Sequence, residues 1–123
     1  MDNVIVSKLV KSEDLNHHET LFAGRIVEWF VESSFICAAK VLKQSDSLVC
    51  AGISDFAIRK PVKAGDVLDF ECTISKAGRT SLTVLAKGRS GLSGSEICEG
   101  HAVFVNLDDD GKPSPHGVVL AIP

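Results

Sequence analysis

The sequence lacks several features that would assign it at once. It has no surplus of basic charge: 13 Lys and Arg stand against 16 Asp and Glu, a formal net charge of -3. That leaves no electrostatic footprint for nucleic acid as the main partner. It lacks closely spaced cysteines. Cys37, Cys50, Cys72 and Cys98 lie far apart inside apolar runs, with no C-x-x-C. They read as reduced core thiols of a cytoplasmic protein rather than as a disulfide framework or a zinc site. No basic stretch leading into an apolar core opens the chain, so no secretory signal is expected.

Other absences narrow the chemistry. The most apolar stretch is broken by Arg25, Glu28 and Glu32, so it does not span a bilayer, and no membrane partner is expected. Ser33-Ser34 has no flanking glycines of a nucleophile elbow, which leaves a serine hydrolase unsupported. Asn106, Asp108, Asp110 and Gly111 imitate the start of a calcium loop, but the twelfth position is Gly117 where a bidentate Glu is needed. His17 and His18 have no third ligand at suitable spacing, so no metal site is expected.

What is present is one domain's worth of chain, residues 1–123, which at this length buries roughly two-thirds of its unfolded surface. Its centre is a long helix. From Leu21 to Leu42 there is no Pro, Gly24 falls near the start, and Thr20 is placed as an N-cap. Ile26, Val27, Phe30, Val31, Phe35, Cys37, Ala38, Val41 and Leu42 cover about half the circumference at 100° per residue. Arg25, Glu28 and Glu32 share a narrower arc, interrupted by Trp29 and Ile36.

Around the helix the chain reads as strand. Asn3–Val10 alternates and suits a short edge strand. Leu48–Ile58 is rich in β-formers, and Gly52 within it marks a bulge or a close approach. A loop punctuated by Pro61 and Gly65 follows. Val67–Ser75 and Ser81–Arg89 flank the tight connection Lys76–Thr80 as a hairpin. Glu96–Leu107 is a last long strand, and the tail from about 108 to 123 is irregular. The expected fold is α+β: a long central helix gripped by a curled antiparallel sheet of about five strands, the last four linked by hairpins. Its open edges invite a second copy.

Four segments in this order resemble the hotdog-fold acyl-CoA thioesterases, the acyl-CoA hydrolase family in particular. They are Asn16–Trp29 (NHHETLFAGRIVEW), Asp55–Asp66 (DFAIRKPVKAGD), Lys76–Ser81 (KAGRTS) and Phe104–Pro113 (FVNLDDDGKP). The resemblance covers nearly the whole chain. It implies hydrolysis of acyl-CoA to free acid and CoA, with no cofactor beyond the CoA of the substrate. It also implies a homodimer, or a tetramer or hexamer built from it, with each site made by the loop of one chain and the helix of the other.

The resemblance also contains a departure. Many relatives carry an Asp on the helix where this chain has Val31, directly before an acidic residue that here is Glu32. Several carry Asn or Asp where this chain has Thr20. Hydrolysis of a thioester needs a base, an oxyanion donor and a grip on the substrate. Glu32, on an otherwise apolar helix, is the candidate base, with desolvation expected to favour its protonated form. Its structural alternative is an ion pair, as it is for Glu28. Asn16 would orient water or the thioester carbonyl, or simply form an Asx turn. His18, like His17, would be base, acid or thioester contact. N–H groups around Ala23 and Gly24 open the helix, where the dipole favours a developing negative oxygen and the missing Cβ of Gly24 admits substrate. Arg59, Lys60, Arg79, Thr80 and Ser81 would hold the CoA phosphates and pantetheine arm, or be plain surface-loop residues. Two other functions stay open on the same fold: a hydroxyacyl-thioester dehydratase, and a non-catalytic acyl-CoA-binding protein.

Overall fold

The computed structural model describes residues 3–120. The chain runs β1 (Val4–Leu9), a 3-10 turn (Ser12–Asp14), α1 (Ala23–Leu42), β2 (Leu48–Ile58), β3 (Val67–Ala77), β4 (Ser81–Ser90) and β5 (Glu96–Asn106). All five strands form one antiparallel sheet in the order β1-β3-β4-β5-β2. The helix packs on every strand of it. Residues 121–123 of the expected tail lie outside the described residues.

The period-two patterning places the core. In β3 and β4 every second side chain is buried: Leu68, Phe70, Cys72 and Ile74, then Leu82, Val84 and Ala86. Cys98, Ala102 and Phe104 continue the layer on β5. The helix lays Ile26, Trp29, Phe30, Ser33, Ser34, Cys37 and Ala38 onto it. Burying apolar surface of this kind is what stabilises the fold, at about 25 cal/mol per Å². Gly100 is required by the packing: a Cβ there would stand 2.7 Å from the Phe56 ring and 3.2 Å from Phe30. Those two rings stack at 4.7 Å and tie the helix to β2.

Three expectations are corrected. First, β2 does not form a hairpin with β3. It pairs with β5 at the far side of the sheet, and the loop from Arg59 to Asp66 crosses from that edge to β3, the neighbour of the other edge strand β1. Second, Thr20 does not cap the helix. Phe22 is the N-cap, with no side-chain bond to the first turn. Third, Cys50 is exposed, because it lies on the open edge strand, whereas Cys37, Cys72 and Cys98 are buried. Burial pushes Cys37 up to about 11 and Cys98 to about 11. It pushes Cys72 to about 12, with Cys37 and Glu71 adding to the effect. Gly52 does mark a bulge, since the β2–β5 register shifts between Cys50 and Gly52. A second shift lies between Ser54 and Ala57, where Asp55 adopts a left-handed φ of 53°. Among the described residues no helix is long and apolar enough to cross a membrane.

Candidate active site

Three pieces of chain meet at the start of α1. The loop ahead of the helix is closed by a bridge between Leu15 and Leu21 and by a bond from Asn16 N–H to the Thr20 carbonyl at 2.7 Å. The crossing loop is stitched to it: Leu21 N–H donates to the Val62 carbonyl at 2.8 Å. The end of β2 arrives beside both. Between them lies a cleft of about 300 Å³, lined by Asn16, Thr20, Ala23, Ile26, Ile58 and the Arg59-Lys60-Pro61 corner, with Leu21 at its wall.

Asn16 forms the Asx turn that was its structural alternative. Its side-chain Oδ1 accepts the backbone N–H of His18 at 2.8 Å and of Thr20 at 3.2 Å, and the Thr20 hydroxyl donates to the same atom at 3.3 Å. Two backbone donors fix which end of the amide is oxygen, because the NH₂ end would clash with them. The Asx turn therefore uses up the acceptor and leaves Nδ2 as a donor at the cleft. The polar Thr20, read as a cap, instead completes this turn.

The helix N-terminus supplies further donors. Arg25 and Ile26 N–H groups bond the Phe22 carbonyl, while those of Ala23 and Gly24 have no acceptor among the described residues. Unsatisfied N–H groups at a helix start, reinforced by the dipole, favour a negative oxygen. Ala23 lines the cleft, whereas the space above Gly24 is taken by Phe22: a Cβ there would lie 2.5 Å from that ring. The glycine thus makes room for an aromatic side chain of its own chain, not directly for a ligand.

The candidate residues divide into those brought together and those kept apart. Asn16, Arg59 and Lys60 share the cleft, with Arg59 also 3.8 Å from Glu99. His17 and His18 are exposed on the same loop, their rings 3.9 Å apart. Arg79, Thr80 and Ser81 lie at the other end of the sheet. There the Thr80 carbonyl accepts Asn106 N–H at 2.8 Å and the Ser81 carbonyl contacts His116 Nε2 at 2.9 Å.

Glu32 does not have the apolar setting expected for it. Its side chain is 47% exposed and its Oε1 receives Lys8 Nζ at 2.6 Å. Lys8 belongs to β1, at the opposite sheet edge from β2. Phe30 faces β2, and Glu32 leaves the helix on the other flank, about 200° further round at 100° per residue. Val31 lies between the two and packs against the core. Glu28 pairs with Arg25 at 3.2 Å, as its structural alternative required. Among the described residues no three His, Cys, Asp or Glu side chains converge as metal ligands would.

Residues 18–93 match the model of the thioesterase superfamily. The chain belongs to that superfamily. An acyl-CoA thioester hydrolase of Bacillus subtilis strain 168, itself described as uncharacterized, is 28% identical over 122 residues, covering 89% of this chain and 67% of the relative. An acyl-CoA hydrolase from Staphylococcus aureus was solved in complex with butyryl coenzyme A, coenzyme A and coenzyme A disulfide. It is 31% identical, with a TM-score of 0.81 over 92% of this chain and 68% of that one. A hexameric acyl-CoA thioesterase solved without ligand is 29% identical, with a TM-score of 0.83 over 92% of this chain and 74% of that one. The long helix in a curled five-stranded sheet is thus the hotdog arrangement of this thioesterase superfamily.

Sequence did not mark as site residues Leu21, Ile26, Ile58 and Pro61, which line the cleft, or Asp14, which is buried beneath the Asn16 loop. The Asn16-to-His18 Asx spacing was the one local signal that the loop is closed, and it gives no hint of what the closed loop rests on.

Proposed function

We propose that this chain hydrolyses the thioester of acyl-CoA to free acid and CoA, as a homodimer or a larger assembly of such dimers. The observation that carries this is the Asn16 amide, whose oxygen is consumed by its own loop and whose Nδ2 remains a donor in the cleft that Ala23, with its open N–H group, also lines. These donors suit the carbonyl oxygen of a thioester, which becomes negative as water adds to its carbon. The tetrahedral adduct then expels the CoA thiolate, which takes up the proton first removed from water. His18, two residues from Asn16 on the same loop, is our choice of base, since a neutral imidazole nitrogen can accept a proton from water. Glu32 is the rival; its place beside Lys8 favours the structural role.

The second copy follows from topology. The outer edge of β2 has no partner among the described residues, and it exposes Val49, Ile53 and Ile58. Two β2 strands pairing antiparallel would set the Leu48 end of one against the Ile58 end of the other. Arg79, Thr80 and Ser81 sit at the Leu48 end, through the contacts of Thr80 and Leu48 with Asn106. Pairing would therefore bring one copy's hairpin toward the other copy's Arg59 and Lys60. Cations from two chains would then flank one nucleotide-bearing ligand, as Arg and Lys suit phosphates. The four unpaired cysteines support a reducing, cytoplasmic setting.

A panel of acyl-CoAs from short to long, followed with a thiol-detecting reagent, tests the reaction. Hydrolysis releases one thiol per acyl-CoA consumed. Gain or loss of enoyl-thioester absorbance without thiol would point to the dehydratase, and binding without any turnover to the non-catalytic protein.

A further inference from the structure

We infer that Asp14 is a positioning residue that holds Asn16 over the cleft, through a buried carboxylate shared between the Asn16 loop and the first turn of the helix; this rests on the hydrolase reading above. Asp14 is 5% exposed, a rare place for a carboxylate unless it is paired. Its Oδ2 accepts Lys11 N–H at 2.9 Å, on the chain entering the loop. Its Oδ1 lies 3.2 Å from Arg25 Nε, on the helix. Its backbone carbonyl accepts Phe22 N–H at 2.9 Å, on the chain leaving the loop. One residue thus joins both ends of the loop to α1. The segment it closes off is the one carrying Asn16, His18 and Thr20.

The arrangement is biased toward the loop. Arg25 has a second carboxylate, Glu28 at 3.2 Å, so loss of Asp14 leaves the guanidinium still held to the helix. What is freed is the loop. Asn16 Nδ2 is useful only if it stands within hydrogen-bond reach of the oxygen it serves, and displacement of about 1 Å at such a contact can cost about a hundredfold in rate. Asp14 itself is buried under the loop and is absent from the residues lining the cleft.

A double-mutant cycle on the full-length protein with one acyl-CoA tests this. Asp14→Asn keeps the size and one acceptor but removes the charge that holds Arg25. We expect kcat to fall by about tenfold or more with KM within about twofold. In an Asn16→Ala background the same change should lower kcat by clearly less than it does alone, because the amide it positions is gone and only the displacement of His18 remains. Asp14→Asn turning over within twofold of wild type overturns the inference. So does a cycle in which the two losses multiply, which is what a merely structural role gives. If Asp14→Asn does not fold, Arg25→Gln, which loosens the same clamp from the exposed side, replaces it in the cycle with the same two outcomes. Should Asn16→Ala itself turn over like wild type, it is the hydrolase reading that fails, and not the link between Asp14 and the loop.

Discussion

The Nζ of Lys8 stands 2.6 Å from Oε1 of Glu32 and ties the edge strand β1 to the outer flank of α1. The pair joins residues 24 positions apart, so no local pattern announces it. Both ends are partly solvated, and a pair of that kind contributes at most about 1 kcal/mol. Glu32→Gln should therefore lower unfolding stability by less than about 1 kcal/mol in a urea titration. Thiol release from acyl-CoA should stay within about twofold of wild type, since a half-exposed group engaged elsewhere supplies no transition-state contact. A loss of a hundredfold or more would return Glu32 to the role of base.

The open edge of β2 gives a prediction about mass. Ile53 is exposed on that edge in the single chain. In a self-paired sheet, Ile53→Lys would bury two like-charged ammonium groups against an apolar partner edge, at a cost of about 3 kcal/mol or more. Association should weaken by more than about a hundredfold. Sedimentation should then report a single chain at micromolar concentration, with turnover lost in step. An unchanged mass would place the interface elsewhere.

The cations divide the substrate. Arg59→Ala, Lys60→Ala and Arg79→Ala should each raise KM for acyl-CoA by about threefold to tenfold with little change in kcat, and less so in high salt. An acyl-pantetheine thioester without the nucleotide phosphates should be turned over alike by all three and by wild type. Equal effects on both substrates would argue against phosphate contacts.

The buried thiols set an alkaline limit. In the unfolded chain they ionise near the ordinary value of 9.0, but in the folded chain only near 11 for Cys37 and Cys98 and 12 for Cys72. Between those values the unfolded chain has released protons that the folded chain retains, so rising pH favours unfolding. Their contribution is fully present below about 9.0 and is lost as pH climbs through about 11 to 12. Melting temperatures measured from pH 8 to 11 should decline above pH 9, and Cys72→Ala should flatten the decline. Native Cys37, Cys72 and Cys98 should also resist thiol reagents at neutral pH, because the thiol form is unreactive.

Much of this architecture was legible because period carries it. Val67–Ile74 alternates and β3 alternates in burial; Leu21–Leu42 lacks Pro and α1 fills almost that span. The bulge at Gly52 was visible for the same local reason. What was not legible is long-range. Nothing in Leu48–Ile58 says that it pairs with β5 instead of β3, since both partners offer similar apolar strands. Cys50 reads as core by its neighbours but sits on an edge. Within the site, Asn16 could be read as turn or as donor, and the fold shows the turn: its amide oxygen accepts the N–H groups of His18 and Thr20, and Nδ2 lies outside that turn. Glu32 departs from its expected burial, and Asp14 is buried with no local signal to announce it. The carboxylate on the apolar helix is solvated and the one in a charged stretch is buried, because burial depends on which strand or helix passes by.

The most direct measurement is thiol release from acyl-CoA by wild type and by Asn16→Asp. The aspartate keeps an acceptor for the N–H groups of His18 and Thr20, so the loop persists, but it has no N–H to offer a thioester oxygen. Removal of one such donor costs about a hundredfold or more. Wild type should release one thiol per acyl-CoA, with Asn16→Asp at least about a hundredfold slower and equally folded. Equal rates in the two proteins, or no thiol released by wild type from any acyl-CoA, would contradict the account.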